Sequence, residues 1–449
     1  MPAGPPRLLP LVGPLARLIT GAYYRVILAG RPLPERGPLL IVANHPNEVF
    51  DPLLVAAAAG RAVRFLAKAP LFGVPGVGAI LRAAGCLPVY RRSDDPGQTA
   101  RNEATFAAVT AALGHGAAVA LFPEGTSHDS PALAPLKTGA ARIALGASRA
   151  GVPLAVVPAG LVLADRDRAR SEALVLLGPP LAWDDLRGAG PVPEAVRDLT
   201  ARITSALEAV TVNLEAWADE PLVTTAEAIH AATHAVPSDP AERVRRLWLA
   251  GRWLRALRAS HDARYRPLAA GLRAHGRKLA RIGLAPADLR EASDVGTALR
   301  WTGRRLPLLA AGAVALAGLL LVTGPMIVAD LVTRGRTGGQ EGHASRHLYV
   351  GSALVLLWWA ILTTGAWLAR GPLAAAAAAA ALPVAGFLGL AVQQAWGRRL
   401  HQARRWLVLR FGGGWLRALR AEQAALGEAL DELLGRPPAG AERELQPGR

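Results

Sequence analysis

An imidazole and a carboxylate lie close together in the first part of the chain, at His45 and Asp51. The apolar run Pro38–Val42 precedes them and predicts a buried strand. Asp51 then opens the apolar stretch Leu53–Ala59, which predicts a helix with Asp51 at its N-cap. A loop histidine that is oriented by a carboxylate is a candidate general base. Alone, the pair is more typical of an ordinary polar loop and helix start, so its meaning depends on the segments that follow.

Two further segments could bind an anionic group. Arg91 and Arg92 follow a predicted strand, and a guanidinium group can bind a phosphate or a carboxylate through two hydrogen bonds. The segment Phe122–Asp129 follows another predicted strand, and Gly125 within it allows close approach of the backbone to an anion. Lys137 begins a predicted helix, where its ammonium group and the first backbone amides can act on the same negative charge.

Other reactive residues are given no catalytic role. Ser127-His128-Asp129 is not predicted to be a catalytic triad, because adjacent residues do not place three side chains in line. The single cysteine, Cys86, excludes an internal disulfide and a cysteine-based metal cluster, and it is expected to be a small buried residue. The sequence shows no metal-ligand constellation, so no metal is expected.

The elements that must position these residues alternate between short apolar strands and longer helices. The candidate strands are Leu39–Ala43, Val63–Ala67, Cys86–Val89, Ala117–Phe122, Leu154–Val162 and Leu174–Leu177. The candidate helices are Leu53–Ala59, Leu71–Ala84, Thr99–Leu113, Lys137–Ala150 and, after a turn, Val192–Trp217. This alternation predicts an α/β fold with a mixed, largely parallel sheet and flanking helices.

Composition favours a membrane protein. Of the 449 residues 51% are apolar, and the mean hydropathy of +0.25 is high for a wholly soluble chain. The formal net charge of +17, mostly from arginine, suits an anionic membrane surface or nucleic acid. Nucleic acid is not expected to be a partner, because helix-turn-helix, zinc and RNA-binding signatures are missing from the sequence.

Segments on both sides of the α/β region support membrane contact. Leu8–Leu28 predicts an interfacial amphipathic helix, with a helix packed on the next domain as the alternative. No cleavable signal peptide is expected at the N-terminus. Residues 221–293 predict helices in which arginine alternates with tryptophan and leucine. Most of these arginines fit a solvated face, and Trp beside Arg also suits the headgroup layer of a membrane.

Three apolar runs are long enough to cross a bilayer: Leu306–Val328, Tyr349–Leu368 and Pro372–Val392. Arg370-Gly371-Pro372 forms a tight joint between the last two, which could form a helical hairpin. The arginines after the last run predict a cytoplasmic C-terminal segment. With a cytoplasmic α/β domain this requires an even number of crossings, so two full crossings and one re-entrant segment are expected, in a bacterial inner membrane.

These patterns predict five regions. They are an N-terminal membrane-interface helix (1–37), an α/β domain (38–220), a basic helical region (221–300), transmembrane segments (301–397) and a basic amphipathic tail (398–449).

Four segments of the α/β region together resemble the glycerol-phosphate and lysophospholipid acyltransferase superfamily. They are Asn44-His45 through Asp51, Leu87-Pro88-Val89-Tyr90-Arg91, Phe122-Pro123-Glu124-Gly125-Thr126 and Val157-Pro158-Ala159-Gly160. They occur in the family's order and at about its spacing. Five residues, not the family's usual four, separate His45 from Asp51, and Ser127-His128-Asp129 follows the third motif. Both features resemble the fungal-type glycerol-3-phosphate/dihydroxyacetone-phosphate acyltransferases.

The resemblance implies direct acyl transfer, in which His45 takes a proton from an acceptor hydroxyl group that attacks an acyl thioester. Asp51 is the preferred partner of His45, and Glu48 is the rival, because the longer loop must bulge to bring Asp51 close. The residues implied in acceptor binding are Arg91, Arg92 and Lys137 for the phosphate and Glu124, Gly125 and Thr126 for the shape of the site. No cofactor is implied beyond the acyl donor, acyl-CoA or acyl-carrier protein.

The expected acceptor is glycerol-3-phosphate or a close relative. A 1-acyl-glycerol-3-phosphate or another lysophospholipid is the alternative within the enzyme class. A membrane protein that keeps the fold only to bind lipid is the alternative outside it.

Overall fold

A computed structural model of the chain describes residues 6–91, 94, 96–128, 130–164, 171–237, 239–290, 328 and 343–435. These residues divide into two compact units. The first takes the described residues within Met1–Glu220 and Ser238–Arg255, and the second takes those within Pro221–Pro237 and Ala256–Glu442. The candidate catalytic and anion-binding residues that the structure describes belong to the first unit.

The first unit is built on a seven-stranded sheet. Its strands are β1 (Arg25–Gly30), β2 (Leu39–Ala43), β3 (Val63–Lys68), β4 (Leu87–Val89), β5 (Ala118–Leu121), β6 (Ala155–Leu163) and β7 (Glu172–Leu177). Their order in the sheet is β1-β7-β6-β2-β5-β3-β4. All neighbouring pairs are parallel except β6 and β7, which are antiparallel. The predicted mixed, largely parallel sheet is confirmed.

Helices cover this sheet. They are α1 (Leu9–Tyr23), α2 (Phe50–Ala58), α3 (Val77–Ala83), α4 (Asn102–Gly114), α5 (Gly139–Arg149) and α6 (Pro193–Val210). Helices α4, α5 and α6 pack with alternate residues of the central strands, such as Leu40 and Val42, in one apolar core. Helices α1 and α2 pack on each other, and α1 contacts β1 and β3 while α2 contacts β6 and β7. All residues of β2 and β5 are buried, which explains why these strands are uninterrupted apolar runs.

The predicted N-terminal helix, Leu8–Leu28, is wrong at its C-terminal end. Helix α1 ends at Tyr23, and the chain continues as strand β1, which pairs in parallel with β7. The β-branched residues Val26 and Ile27 favour a strand, and the pairing satisfies backbone groups that a helix would otherwise satisfy. The sheet is therefore one strand wider than the sequence predicted.

Other predicted helices also differ in their bounds. Helix α4 begins at Asn102 and not at Thr99, and α5 begins at Gly139, so Lys137 lies before this helix and not at its start. The predicted helix Leu71–Ala84 is divided into a 3₁₀ turn at Ala69–Gly73 and α3, because Gly76 between them has a φ of +78°, outside the helical region. The predicted helix Val192–Trp217 ends as α6 at Val210.

The described part of the second unit is helical. Its helices are α7 (Glu220–Thr233), the end of α8 (Pro240–Ala259), α9 (Tyr265–Ile282), α10 (His343–Arg370), α11 (Pro372–Phe411) and α12 (Gly413–Gly435). Helices α7, α8 and α9 agree with the helical pattern predicted for residues 221–293. Helices α10 and α11 contact each other across the joint at Gly371, which has a φ of +85°, so they form the hairpin that the sequence allowed.

Among the described residues, one helix is long and apolar enough to cross a membrane. Its segment Ala353–Arg370 lies in α10, overlaps the predicted span Tyr349–Leu368 and has no buried residues. The predicted span Pro372–Val392 lies in α11, whose apolar part, Pro372–Gly386, is too short for the same criterion. The predicted span Leu306–Val328 lies outside the described residues except at its last position. The number of crossings stays a prediction.

Candidate active site

The candidate catalytic and anion-binding loops leave one edge of the sheet. The loop with His45 follows β2, the loop with Glu124 follows the neighbouring strand β5, and Arg91 follows β4. These strands are parallel, so their carboxyl ends meet at the same edge, where open α/β sheets bind ligands. The topology thus brings together residues that are far apart in sequence.

His45 and Asp51 form a hydrogen-bonded pair. The Nδ1 atom of His45 lies 2.7 Å from Oδ2 of Asp51, and the backbone N–H of Asn47 donates to the same oxygen at 2.7 Å. The Asp51 side chain is fully buried, whereas that of His45 is 18% exposed. The predicted N-cap role of Asp51 is wrong. Helix α2 begins at Phe50, so Asp51 lies in its first turn, and the carboxylate accepts hydrogen bonds from His45 and Asn47 of the preceding loop.

The loop accommodates its additional residue at Glu48. This residue has a φ of +24°, a left-handed conformation that few residues other than glycine adopt. Its backbone N–H donates to Oγ of Ser127 at 3.1 Å, and its side chain is exposed. The bulge required by the longer spacing is therefore present, and the partner of His45 is Asp51.

The ring of His45 is fixed in orientation. It stacks on Phe122, with ring centroids 4.2 Å apart and planes 16° from parallel. Because Asp51 is an acceptor, Nδ1 carries the proton in the neutral ring and Nε2 carries the lone pair. Nε2 has no hydrogen-bond partner among the described residues. This arrangement suits a base that accepts a proton from a bound hydroxyl group.

Two asparagines anchor the loop at both sides of His45. The side chain of Asn44 donates to the backbone oxygen of Leu161 at 3.0 Å and accepts from the Leu161 N–H at 2.7 Å, which joins the end of β2 to β6. The side chain of Asn47 donates to the hydroxyl group of Tyr24 at 2.7 Å. Tyr24 also packs edge-on against Phe50. The loop is thus held by β6 through Asn44 and by Tyr24, the residue before β1, through Asn47.

Glu124 links the loop after β5 to the loop that carries His45. Its Oε1 atom accepts the backbone N–H of His45 at 2.7 Å, and Oε2 accepts the N–H of Ala134 at 2.8 Å and the ring of His128. The side chain is almost completely buried. Glu124, predicted to shape the acceptor site, therefore has both oxygens engaged by the protein. This geometry favours an indirect role, in which Glu124 positions the backbone of His45.

His128 is a functional candidate that the sequence analysis left without a role. Its Nδ1 atom accepts the backbone N–H of Ser130 at 3.1 Å, so the neutral ring carries its proton on Nε2, which faces Glu124. The spacing of four residues between Glu124 and His128 was visible in the sequence. It could not indicate a contact, because this segment is not helical and the loop alone sets the distance.

Arg91 and Lys137 converge on Gly125. Nη1 of Arg91 donates to the Gly125 oxygen at 3.1 Å, while Nε and Nη2 bind Asp94 at 2.8 and 2.7 Å. The backbone N–H of Lys137 donates to the backbone oxygen of Pro123 at 2.7 Å. Gly125 has a φ of +80°, and an added Cβ would lie 3.3 Å from Cγ of Lys137. Two of the predicted cationic side chains therefore border one loop.

The sequence also predicts Thr126 and Arg92 as residues of the site. Thr126 is exposed, and its hydroxyl group contacts only the neighbouring carbonyl oxygen of Ser127, at 3.3 Å, among the described residues. Arg92 lies outside the described residues. Cys86, predicted to be a small buried residue, is half-buried. Desolvation raises the pKa of its thiol, which disfavours the nucleophilic thiolate.

Burial raises the pKa of the Asp51 carboxyl above 3.8, against the opposing effects of its hydrogen bonds with His45 and Asn47. The folded protein therefore retains this proton to higher pH than the unfolded chain. As pH rises from 3.8 through the raised pKa, the contribution of Asp51 to the free energy of unfolding decreases, and above that pKa it is constant.

We expect the pH-dependent decrease in the free energy of unfolding that Asp51 causes to be absent in Asp51→Asn, because asparagine does not ionise. The stability of the wild type relative to this variant should fall as pH rises from about 4 and then level off. Thermal unfolding of the detergent-solubilised chain, measured between about pH 4 and pH 8, tests this expectation. A relative stability that rises with pH would mean that pairing with His45 outweighs burial.

Comparison with known proteins agrees with this geometry. Residues 25–161 match the family model described as Acyltransferase. This segment spans β1 to β6 and includes the His45–Asp51 pair, Arg91 and Glu124. The first unit therefore contains an acyltransferase-family domain, and the resemblance predicted from the four motifs is confirmed.

The chain is similar to two glycerol-3-phosphate O-acyltransferases of Saccharomyces cerevisiae. It is 40% identical to glycerol-3-phosphate O-acyltransferase 2 over 117 residues, which are 25% of this chain and 16% of that protein. It is 36% identical to glycerol-3-phosphate O-acyltransferase 1 over 107 residues, 22% of this chain and 14% of that protein. The similarity thus spans less than a fifth of the length of these relatives.

A solved structure is also similar, the 1-acyl-sn-glycerophosphate acyltransferase PlsC of Thermotoga maritima. It is 18% identical, with a TM-score of 0.32, and the match covers 44% of this chain and 76% of that one.

Proposed function

We propose that the protein is a membrane-associated O-acyltransferase that moves a fatty acyl group from an acyl thioester to a hydroxyl group of a glycerol-3-phosphate-type acceptor. The observation that carries the proposal is the His45–Asp51 pair, with Nδ1 of His45 2.7 Å from Oδ2 of Asp51 at the ligand-binding edge of an acyltransferase-family domain. The similarity to the two yeast glycerol-3-phosphate O-acyltransferases supports the acceptor class.

In the proposed reaction, Nε2 of His45 removes the proton of the acceptor hydroxyl group as its oxygen attacks the thioester carbonyl carbon. The new C–O bond forms, the C–S bond breaks, and the leaving thiolate receives the proton from His45. Asp51 keeps the ring in the required tautomer and stabilises the imidazolium that forms between the two proton transfers. The donor is the thioester of coenzyme A or of acyl-carrier protein.

The proposed phosphate-binding group is Arg91, with Lys137 beside it. Arg91 points three hydrogen-bond donors at Gly125 and Asp94, and its bidentate pairing with Asp94 has the geometry with which arginine also binds phosphate. A phosphate would replace Asp94 as the partner of Nε and Nη2. This role is one of positioning, because holding the acceptor near His45 turns its attack into an effectively unimolecular step.

Exposed apolar residues of the first unit support membrane association. Leu11, Leu15 and Leu18 of α1 recur at helical spacing and are 54–58% exposed. Val77 and Ile80 of α3 are also exposed. Together with the apolar segment of α10, this surface favours a protein that contacts the bilayer, as the sequence predicted for residues 1–37.

The proposal is tested by acyl transfer in membranes from cells that express the protein. Labelled long-chain acyl-CoA is supplied with glycerol-3-phosphate in one reaction and with 1-acyl-glycerol-3-phosphate in another, and acyl-carrier protein replaces coenzyme A in a repeat. Lysophosphatidate in the first reaction supports the proposed acceptor. Phosphatidate only in the second would move the enzyme to a lysophospholipid acceptor. No product with either donor would favour a protein that binds lipid without catalysis.

Loss of the guanidinium group in Arg91→Gln should raise KM for glycerol-3-phosphate about 10- to 100-fold, since a hydrogen bond to a charged group contributes about 1.5–3 kcal/mol. The value of kcat should change less, because the chemistry at His45 is intact. Steady-state kinetics with varied acceptor concentration measures both parameters.

Asp94→Asn is the matched control, because it removes the anion that pairs with Arg91 in the structure. It should leave KM unchanged or lower it. An equal rise of KM in both variants would show that Arg91 acts by holding Asp94 in place, and phosphate binding by Arg91 would be rejected.

A further inference from the structure

Three side chains of the second unit converge outside the proposed active site. His230 and His234 lie one turn apart on α7, with ring centroids 4.5 Å apart, and Asp431 lies opposite them on α12. Oδ1 of Asp431 is 2.9 Å from Nε2 of His234 and 3.6 Å from Nδ1 of His230. Asp431 follows His234 by 197 residues, so the fold and not the local sequence creates this cluster.

The packing of α7 on α12 explains why the three side chains meet. Gly427 faces Thr233, and a Cβ at Gly427 would lie only 2.8 Å from the Thr233 hydroxyl oxygen. The absence of a side chain at Gly427 therefore allows the two helices to approach closely at this point. Asp431 lies one helical turn beyond Gly427, and the same spacing separates His230 from His234, so all three side chains share the interface.

The distances suit a small tetrahedral metal ion. Zn²⁺ binds imidazole nitrogen and carboxylate oxygen at about 2.0–2.2 Å, which places two ligand atoms about 3.3–3.5 Å apart in a tetrahedron. The two distances from Asp431 lie on either side of this value, and the three ligand atoms lie within 4.8 Å of one another. The three side chains are 31–44% exposed, so an ion can enter and water can complete the coordination.

We propose that His230, His234 and Asp431 bind a first-row transition-metal dication, with Zn²⁺ as the representative ion. Two imidazoles favour such an ion over Mg²⁺ or Ca²⁺, which prefer oxygen ligands. The ion links α7 to α12 within the second unit, and the long segment of chain between its ligands makes this link a constraint on unfolding. The proposal assigns the metal a structural role and does not depend on the proposed acyl transfer.

The test uses the full chain, purified in detergent without a polyhistidine tag and treated with a chelator. Equilibrium dialysis against Zn²⁺ measures the stoichiometry and Kd, and thermal unfolding measures the shift of Tm on adding Zn²⁺. We expect one tightly bound Zn²⁺ and a rise in Tm. Bound Co²⁺ should give the visible absorption of a tetrahedral site with nitrogen and oxygen ligands.

His234→Gln and Asp431→Asn should each weaken Zn²⁺ binding by about 10-fold or more and remove the rise in Tm. His261→Asn is the matched control: His261 is exposed, belongs to the same unit and has a φ of +51° that asparagine tolerates. If one ligand variant does not fold, the other and His230→Gln remain. Two results would overturn the proposal. One is a wild type that binds no stoichiometric Zn²⁺ and shows no rise in Tm. The other is an equal Kd for Zn²⁺ in the wild type and the folded ligand variants.

Discussion

Replacing His45 by alanine should lower acyl transfer by about 10²- to 10⁴-fold, the usual contribution of a general base. The structure favours a large effect because the hydrogen bond of Nδ1 with Asp51 and the stacking of the ring on Phe122 hold Nε2 of His45 in one orientation. The measurement is the initial rate of labelled lipid formation in membranes with matched amounts of protein.

Two variants in the same region separate catalysis from folding. Asp51→Asn should cause a loss of similar order, because an amide cannot orient the His45 ring as a carboxylate does. Glu48→Gln changes an exposed carboxylate of the same loop and should retain activity. His115→Ala, at an exposed position after α4, controls for loss of a histidine elsewhere. Unchanged transfer in His45→Ala would refute the mechanism.

Replacing Glu124 by glutamine should have the second large effect, on both stability and rate. In the wild type, three donors point at the two carboxylate oxygens of Glu124: the N–H groups of His45 and Ala134 and the ring of His128. An amide has only one acceptor oxygen, so in either orientation its NH₂ group meets a backbone N–H group. A buried donor that loses its acceptor costs about 1–3 kcal/mol in the free energy of unfolding.

The rate should also fall, by about 100-fold if the backbone of His45 moves by about 1 Å. Circular dichroism during thermal unfolding and the transfer assay measure the two effects on the same preparation. Glu103→Gln, on the exposed face of α4, is the control. A variant with wild-type stability and wild-type rate would show that Glu124 does not hold the His45 loop.

Much of the site could be predicted because its parts lie at strand ends. The strand Leu39–Ala43 was predicted with its observed bounds, since an apolar run of that length before a polar loop has few alternative structures. The order of the motifs then indicated that His45, Arg91 and Glu124 belong to one site. Their exact contacts depend on the sheet order, which places β5 beside β2.

The remainder could not be predicted because it depends on distant partners. Asp51 looks like an N-cap residue in the local sequence, and only the tertiary contact with His45 withdraws it from that role. In the sequence, the residues of β1 continue the amphipathic pattern of the preceding helix. Only the pairing with β7, which is distant in the chain, makes them a strand. The cluster of His230, His234 and Asp431 requires the packing of α7 on α12, which no short-range pattern contains.

The position of β2 in the sheet has a consequence for the order in which the protein is made. Strand β2 is the first of the central strands to leave the ribosome. It pairs on one side with β5 and on the other with β6. Its first residue, Leu39, pairs with Ala118 of β5 and Ala155 of β6, which are made much later. Asn44 likewise needs Leu161 of β6. During synthesis the apolar segment Leu39–Ala43 therefore stays without its partners until most of the domain has emerged.

An unpaired apolar strand is a template for aggregation. The segment Leu39–Ala43, which ends two residues before the candidate base, is thus exposed to this risk until β5 and β6 have been made. The active-site loop lies early in the chain, but Asn44 can form its hydrogen bonds with Leu161 only after β6 has been synthesised.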